Sequence, residues 1–421
     1  MKGLRGVWLR VHRWLALSAG WVLIFSGLSG AALVVTPALD RWANPQLFEV
    51  RPEAQSDVRS EAQSDIRPEA QSDVRPEAQS DVRHEAQSHV RPEASSDVRS
   101  AIAPAQAPVA LDTVLGRVRK EFGDGANLVF RPARNPGETL QVRVRGSWRG
   151  TLYLDPATGA EQGRRGDAEG AANVLFKLHS ALYLDGTGKA ILAWVALAYL
   201  FLLITGLILW WPRHWAKGWN IALNRGLLRS LFDLHRVGGA TLGLLIAVSV
   251  ATGTYMAWRP LGAAVTWLSG ATPVKAPKLP PLAGEPAGGS PWTLDQLAAR
   301  AVAQFPDAPP IGYIVVPPHA NAPTRFRMML ADDPHPNGMT SVWIDPRTAQ
   351  VLAVHRWNEL DPGARATAVI YPLHTGELGG VALETAVAIG GLALGGLGIS
   401  GAWLWWRRRA IKRAGRPQTA G

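Results

Sequence analysis

The 421-residue chain contains 18 tryptophans, 47% hydrophobic residues and only 18% charged residues, a composition typical of a membrane protein rather than of soluble domains. It has no cysteine, which excludes disulfides, cysteine-ligated iron–sulfur clusters, thiolate zinc sites and covalently attached haem. The net charge of +11 does not indicate nucleic-acid binding, because much of the excess lies in short segments that flank apolar runs.

The first apolar run covers residues 14–36 and is long enough to cross a bilayer, which takes about 20 residues. Residues 1–13 carry four basic side chains, so we expect a cytoplasmic N-terminus. A cleaved signal peptide is the alternative. Its apolar region would be about 7–15 residues long, so we favour an uncleaved first transmembrane helix.

Residues 50–100 are an octad repeat with Arg51-Pro52-Glu53-Ala54-Gln55-Ser56-Asp57 as its clearest copy. One aliphatic residue in eight cannot bury a core, so we predict a disordered linker. Residues 109–170 then have the pattern of a small α+β unit. We predict a helix from Leu111 to Phe122 with Asp112 as its N-cap, and strands at 127–131, 139–145 and 151–154.

The remaining chain repeats this order. Residues 171–211 hold His179, a break at Gly186–Gly188 and a second span from about 190. Residues 212–236 are a basic cytoplasmic loop, and the third span is 237–258. A Pro/Gly-rich linker (271–291) precedes a second unit at 292–358. That unit is predicted to have a helix from Thr293 to Phe305, capped by Thr or Asp, and strands at 311–316, 324–330 and 340–344. Residues 371–406 hold His374 and a fourth span from about 381, and 407–421 are a basic cytoplasmic tail.

The predicted fold class is an α-helical integral membrane protein with four transmembrane helices and two small α+β periplasmic domains. Both termini are expected in the cytoplasm. Because each half has the same order and orientation, we interpret the chain as a tandem duplication with a pseudo-twofold axis along the membrane normal.

Four histidines occupy matched positions in the two halves. His12 and His235 open spans one and three, and in both copies glycines follow after 8 and 18 residues. His179 and His374 precede spans two and four, and a double tryptophan begins 31 residues after each. Under a twofold axis each pair can converge across the bundle, as a bis-imidazole haem site requires. Gly30 and Gly253 lie five helical turns from His12 and His235 and are predicted to leave room for a second macrocycle.

A single histidine near a membrane interface is usually a solvated residue, and small residues in a span usually indicate close helix packing. Four histidines at matched positions favour metal ligation instead. We therefore predict His12, His179, His235 and His374 as ligands of two haems. Arg13 and Arg236 are predicted to bind haem propionates, although the positive-inside rule explains them equally well. No catalytic acid or base is predicted.

These motifs resemble the PepSY-associated transmembrane family. The resemblance rests on Leu234-His235-Arg236, Leu178-His179-Ser180, Leu373-His374-Thr375 and the two spans that end Thr205-Gly206-Leu207-Ile208-Leu209-Trp210-Trp211 and Ser400-Gly401-Ala402-Trp403-Leu404-Trp405-Trp406. It implies a bacterial inner-membrane protein with two PepSY-like periplasmic domains. The iron-related branch of that family consists of ferric-siderophore reductases with b-type haem, which implies that the four histidines bind haem b.

The resemblance implies an oxidoreductase that reduces a ferric siderophore or another ferric chelate in the periplasm. No glycine-rich dinucleotide motif is found, so a quinol or a separate reductase is the expected electron donor. The alternative is a non-enzymatic PepSY module that binds or regulates a periplasmic protein. A third possibility is a metal-uptake permease, which parallel repeats would fit.

Overall fold

The computed structural model describes residues 2–50, 108–212, 214–281 and 292–414. The octad repeat falls almost entirely in the segment 51–107, so its predicted disorder lies outside the described residues. The second half of the Pro/Gly-rich linker, residues 282–291, lies outside them too.

Four helices in the described part of the chain are long and apolar enough to cross a membrane. They are α1 (Lys2–Ala43), α4 (Asp185–Trp210), α5 (Leu227–Ala257) and α9 (Gly380–Ala414). Each packs against two of the others, in the cyclic order α1, α4, α5, α9. This closed ring is a four-helix bundle in which α1 and α5 occupy opposite corners.

Glycines bring α1 and α9 into close contact. A Cβ atom on Gly27 would lie 2.6 Å from the carbonyl oxygen of Gly391, and a Cβ on Gly391 would lie 2.6 Å from that of Gly27. Only residues without a side chain permit this approach, as is common between membrane helices. The middle of the bundle is filled by apolar and aromatic side chains, whose buried members are Leu23, Tyr199, Leu202, Ile246 and Leu394.

Two shorter helices carry the remaining matched histidines. The first, α3 (Gly170–Ala181), packs against α1 and contains His179, and α8 (Pro362–Thr375) packs against α5 and contains His374. Left-handed residues follow both: Leu182 with φ 49° after α3 and Gly376 with φ 89° after α8. The predicted break at Gly186–Gly188 is therefore wrong, because the chain turns at 182–184. Gly188 lies inside α4, against the carbonyl of Ala181.

The two predicted α+β units share one antiparallel sheet of eight strands, in the order β4-β3-β2-β1-β5-β6-β7-β8. The first unit contributes β1 (Asn127–Arg131), β2 (Leu140–Arg145), β3 (Arg149–Leu154) and β4 (Glu161–Gly166). The second contributes β5 (Ile311–Val316), β6 (Thr324–Met328), β7 (Thr340–Ile344) and β8 (Val351–His355). The units join where β1 pairs with β5. Strands β4 and β8 were not predicted from the sequence, and neither was the pairing of β1 with β5.

One face of the sheet is covered by α2 (Leu111–Phe122) and α7 (Leu294–Val302), which enclose a core of alternating strand residues. Backbone amides at the start of each helix donate to an aspartate of the other helix. Asp112 accepts a hydrogen bond from the Leu294 amide (3.0 Å), and Asp295 accepts from the amides of Leu111 and Asp112 (both 2.9 Å). Asp112 is therefore not the N-cap of its own helix, which is Ala110. The predicted Thr293 cap is confirmed, with Gln296 completing a capping box.

The opposite face of the sheet meets one end of the bundle. The Asp40 carboxylate at the end of α1 pairs with Arg165 of β4 at 2.6 Å, and both side chains are largely buried. The helical turn Pro45–Phe48 follows, and the Phe48 ring packs edge-on against Tyr153. A further helix, α6 (Arg259–Leu268), extends from the same end of α5. The sheet is thus fixed to the bundle through α1.

Candidate functional site

The four matched histidines share one local environment. Each imidazole lies against a neighbouring helix at a Ser-Gly or Thr-Gly pair. His12 contacts Thr205-Gly206, His179 contacts Ser29-Gly30, His235 contacts Ser400-Gly401, and His374 contacts Thr252-Gly253. Each half of the chain thus supplies two histidines and two such pairs.

The hydroxyl group fixes the Nδ1 atom of each ring. The distance from Nδ1 to the hydroxyl oxygen is 2.8 Å for His12 and Thr205, 3.0 Å for His179 and Ser29, 3.1 Å for His235 and Ser400, and 3.1 Å for His374 and Thr252. A backbone carbonyl three residues before each hydroxyl also bonds the imidazole, as Ser249 does for His374 at 2.9 Å. The others are Leu202, Ser26 and Leu397.

These bonds determine the tautomer. Each serine or threonine donates its single hydroxyl hydrogen to a carbonyl of its own helix, as Thr205 does to Leu202 (2.9 Å) and Ser400 to Leu397 (3.1 Å). Ser29 donates to Ser26 and Thr252 to Val248. The hydroxyl oxygen must then accept from the imidazole, so Nδ1 carries the hydrogen. The Nε2 lone pair of each ring is left for a metal, which is the usual arrangement of a ligating histidine.

The glycine provides the space for each ring. A Cβ atom would lie 2.7 Å from His374 Cε1 if built on Gly253, and 3.0 Å from His179 Cε1 if built on Gly30. The corresponding distances are 3.2 Å from Gly401 to His235 and 3.4 Å from Gly206 to His12. Gly30 and Gly253 therefore lie beside His179 and His374, which we call the outer pair. These imidazoles occupy the space that was predicted to hold a second macrocycle.

The geometry of the outer pair fits two ligands of one metal. The ring centres of His179 and His374 are 6.2 Å apart. A metal–imidazole bond is about 2.0 Å and the nitrogen lies about 1 Å from its ring centre, so two rings on opposite sides of one ion have centres about 6 Å apart. Two imidazoles complete the coordination of an iron ion when a porphyrin supplies its other ligands.

The inner pair, His12 and His235, comes from the diagonal helices α1 and α5, and the two rings interact electrostatically. His12 precedes Gly30 by 18 residues of the same helix, which corresponds to about 27 Å. The two histidine pairs therefore lie near opposite ends of a bundle of membrane thickness. The apolar core of the bundle separates them.

The arginines that follow the inner histidines differ in their contacts. Arg236 donates to the carbonyl of Asn220 (2.8 Å) and lies 3.3 Å from the carboxylate of Asp233. Asp233 is fully buried and also pairs with Arg229 at 2.9 Å. Arg13 lies over the Trp14 ring. Within the described residues, the Nε atoms of Arg13 and Arg236 are both buried without a hydrogen-bond partner, and a propionate would supply one.

A buried histidine outside the matched set contacts the outer site. His335 Nδ1 accepts the Asn337 amide (2.9 Å), and His335 Nε2 lies 2.8 Å from the carboxylate of Glu377, three residues after His374. The loop that contains His335 thus joins the sheet to the turn beyond α8. Glu377 therefore pairs with the sheet domain.

The hydroxyl residues were not predicted as a set. Thr205-Gly206 and Ser400-Gly401 belong to the motifs at the ends of spans two and four, whereas Ser29 and Thr252 belong to no predicted motif. The detectable signal was a Ser-Gly or Thr-Gly pair in every apolar run, at matched places in the two halves. Asp233 also went unnoticed, although it is an acidic residue two positions before His235.

Comparison with protein-family models matches residues 9–408 to the PepSY-associated TM region. The match includes all four spans, all four matched histidines and every strand of the sheet. No curated protein matches the chain.

Proposed function

The chain belongs to the PepSY-associated TM region family, and from this premise we propose that it holds two b-type haems and conducts electrons across a bacterial inner membrane. His179 and His374 would bind the outer haem, and His12 and His235 the inner one. Bound haem supplies a reversible one-electron couple at each site. The observation that carries the proposal is the shared environment of the four histidines, in which Nδ1 bonds a hydroxyl group and Nε2 has no hydrogen-bond partner among the described residues.

The residues of the chain position and insulate these sites. The hydroxyl and carbonyl acceptors hold each imidazole plane, and the glycines allow each ring to lie against the adjacent helix. The apolar side chains between the two ends exclude water. Arg13 and Arg236 each offer a buried Nε–H group to a propionate.

The proposed orientation places both termini in the cytoplasm and the sheet in the periplasm. It is supported by the basic residues before span one, between spans two and three, and after span four. The matched order of elements in the two halves supports a tandem duplication, and the reciprocal capping of α2 and α7 and the β1–β5 pairing support a twofold relation between them.

The proposed reaction is the reduction of a periplasmic ferric chelate. One quinol releases two electrons and two protons, or a separate reductase supplies the two electrons, and two ferric ions each accept one electron. Reduction weakens the chelate because hard oxygen ligands suit Fe(III) better than Fe(II). No side chain needs to act as a catalytic acid or base.

The absorption spectrum of the detergent-purified full chain, with a haem-to-protein ratio, tests this proposal. We expect a Soret band, sharp α and β bands on reduction, and two haems per chain. His12→Ala and His374→Ala should each remove about half of the haem, whereas His319→Ala, which changes a histidine of the sheet domain, should remove none.

A colourless preparation, or full haem content in both ligand variants, would contradict the proposal. A colourless protein would favour a non-enzymatic module that binds a periplasmic protein, or a permease. The electron-transfer step has its own test, which is quinol-dependent reduction of a ferric chelate by protein in sealed vesicles.

A further inference from the structure

Arginines line the face of the sheet opposite to α2 and α7. The alternation along β6 places Phe326 and Met328 in the core, so Arg325 and Arg327 lie on the other face. Arg131 at the end of β1 has the same orientation, because Phe130 belongs to the core. This face is the one that meets the bundle.

The register brings the polar groups of β5 to β8 together. Arg327 pairs with Tyr313 on one side and with Ser341 on the other, and Ser341 pairs in turn with His355. Arg325 lies diagonally from them, where its Nε and Nη2 groups both donate to the Ser341 hydroxyl at 3.0 and 2.8 Å. Arg134 lies over the Tyr313 ring at 5.7 Å. We call Arg134, Arg325, Arg327, Ser341 and His355 the arginine face.

The cations of this face have no ion-pair partner among the described residues. Neighbouring carboxylates have other partners: Glu377 pairs with His335 Nε2 at 2.8 Å, and Glu138 pairs with Arg41 at 3.2 Å. Asp333 accepts from the amides of Met339 and Thr340. Arg325 stacks over the Trp343 ring at 5.1 Å, which orients its guanidinium without neutralising it.

Three nitrogen atoms of this face are buried without a hydrogen-bond partner in the part of the chain that the structure describes. Arg134 has two such nitrogens, Nε and Nη2, and His355 has Nδ1. Burial and the neighbouring Arg327 cation lower the pKa of Arg325 to about 10. Asp333 and Glu377 interact electrostatically with Arg327, whereas the charge that acts on Arg325 is the like charge of Arg327. A buried cation without an opposing charge is unfavourable unless an anion binds to it.

We propose that the arginine face binds an anion with two or more carboxylate groups. Arg325 Nε and Nη2 donate to Ser341, and Arg327 Nε donates to the Gly338 carbonyl. The other N–H groups of the two guanidinium groups can donate to carboxylates. Arg325 and Arg327 together can hold a polycarboxylate, while Ser341 and His355 lie between and beside them. The identification of this anion with a ferric polycarboxylate chelate rests on the proposed function.

The position of the face is consistent with that identification. Arg327 interacts electrostatically with Tyr371 and Glu377, which lie on either side of His374 in the sequence. A ligand on Arg327 would therefore lie next to the helix that carries an outer histidine. Substrates with a net negative charge would be preferred over neutral or cationic chelates.

Gallium(III) citrate is a suitable probe, because it resembles ferric citrate and cannot be reduced in the same way. Its binding to the full chain would be measured by titration calorimetry for the wild type and for the double variant Arg325→Gln, Arg327→Gln. Arg149→Gln is the matched control: it removes the same charge from the same face, but Arg149 already faces Asp167 at 3.7 Å.

We expect the double variant to bind gallium citrate about tenfold more weakly or worse, and the control to stay within about twofold of the wild type. Arg325→Lys keeps the positive charge but loses the guanidinium group, so its affinity for gallium citrate should fall less than that of the double variant. It tests the proposal even if the double variant unfolds. Haem content should be unchanged in all of them. Unchanged affinity in both the double variant and Arg325→Lys would overturn the proposal.

Two further outcomes separate this site from the proposed function. If the double variant loses the outer haem while Arg149→Gln keeps it, the arginines hold haem carboxylates and the anion site is overturned. If the wild type contains no haem but still binds gallium citrate through these arginines, the anion site is supported and the redox function fails.

Discussion

The four glycines that face the histidines provide a graded test of the site. A Cβ atom would lie 2.7 Å from the imidazole at Gly253, 3.0 Å at Gly30, 3.2 Å at Gly401 and 3.4 Å at Gly206. Ordinary van der Waals contact begins near 3.4 Å. Alanine at Gly253 therefore requires the largest shift of an imidazole, whereas alanine at Gly206 requires almost none.

The magnitude follows from overpacking. Forcing an extra methyl group into a packed site costs about 1–3 kcal/mol, which weakens haem binding by about fivefold to 150-fold when the displaced ring is the ligand. Helix propensity acts in the opposite direction, because alanine is more favourable than glycine by about 1 kcal/mol in a helix. We expect Gly253→Ala to lose the most haem affinity, followed by Gly30→Ala and then Gly401→Ala. Gly206→Ala should bind haem about as tightly as the wild type.

Haem titration into the purified apo-protein, followed at the Soret band, measures this order. Gly206→Ala is the internal control, since it makes the same chemical change in the same kind of helix. Equal haem loss in Gly206→Ala and Gly253→Ala would refute the steric reasoning. Full occupancy in all four variants would refute the assignment of these rings as ligands.

Three further predictions concern single interactions. Thr205→Val removes the hydroxyl acceptor of His12 Nδ1 and should weaken haem binding at the inner site by about 1 kcal/mol, whereas Thr205→Ser should not; a Soret titration compares them. Asp112→Ala and Asp295→Ala should each lower the free energy of unfolding of the sheet domain by about 1 kcal/mol, as measured by denaturant unfolding. Asp307→Ala, on a surface turn, should have no comparable effect. Burial opposes ionisation of Glu138, but hydrogen bonds from Asn135, the Arg134 amide and Arg41 outweigh it and lower its pKa to about 2. This stabilisation is present above the ordinary pKa of 4.5 and is lost as the pH falls through that value towards 2. The melting temperatures of wild type and Glu138→Gln should therefore differ at pH 7 and converge at low pH; a constant difference would contradict this.

Much of the membrane architecture follows from the sequence. The four apolar runs become helices α1, α4, α5 and α9, because only a helix satisfies its own backbone hydrogen bonds in a bilayer. All four helices begin before their apolar runs, and α1 (Lys2–Ala43) and α9 (Gly380–Ala414) also end beyond them. Strands β5 and β7 match their predicted bounds, because turn residues border both.

The sequence pattern could not predict contacts between distant parts of the chain. Asp112 had the position of a helix cap, yet it caps a helix that begins 182 residues later, because capping depends on which amide is near in space. The sequence also contained no pattern that predicted the pairing of β1 with β5. Both strands alternate in the usual way, and nothing in that alternation specifies a partner.

The sequence by itself determined that four histidines recur at matched positions and that two lie near each end of a four-span bundle. Only the tertiary structure decided what each one contacts. The Ser-Gly and Thr-Gly pairs come from different helices than the histidines they hold, so their role depends on how the helices pack. Periodicity describes one helix at a time, whereas the direction of an imidazole is fixed by the hydroxyl, carbonyl and missing Cβ of its neighbour.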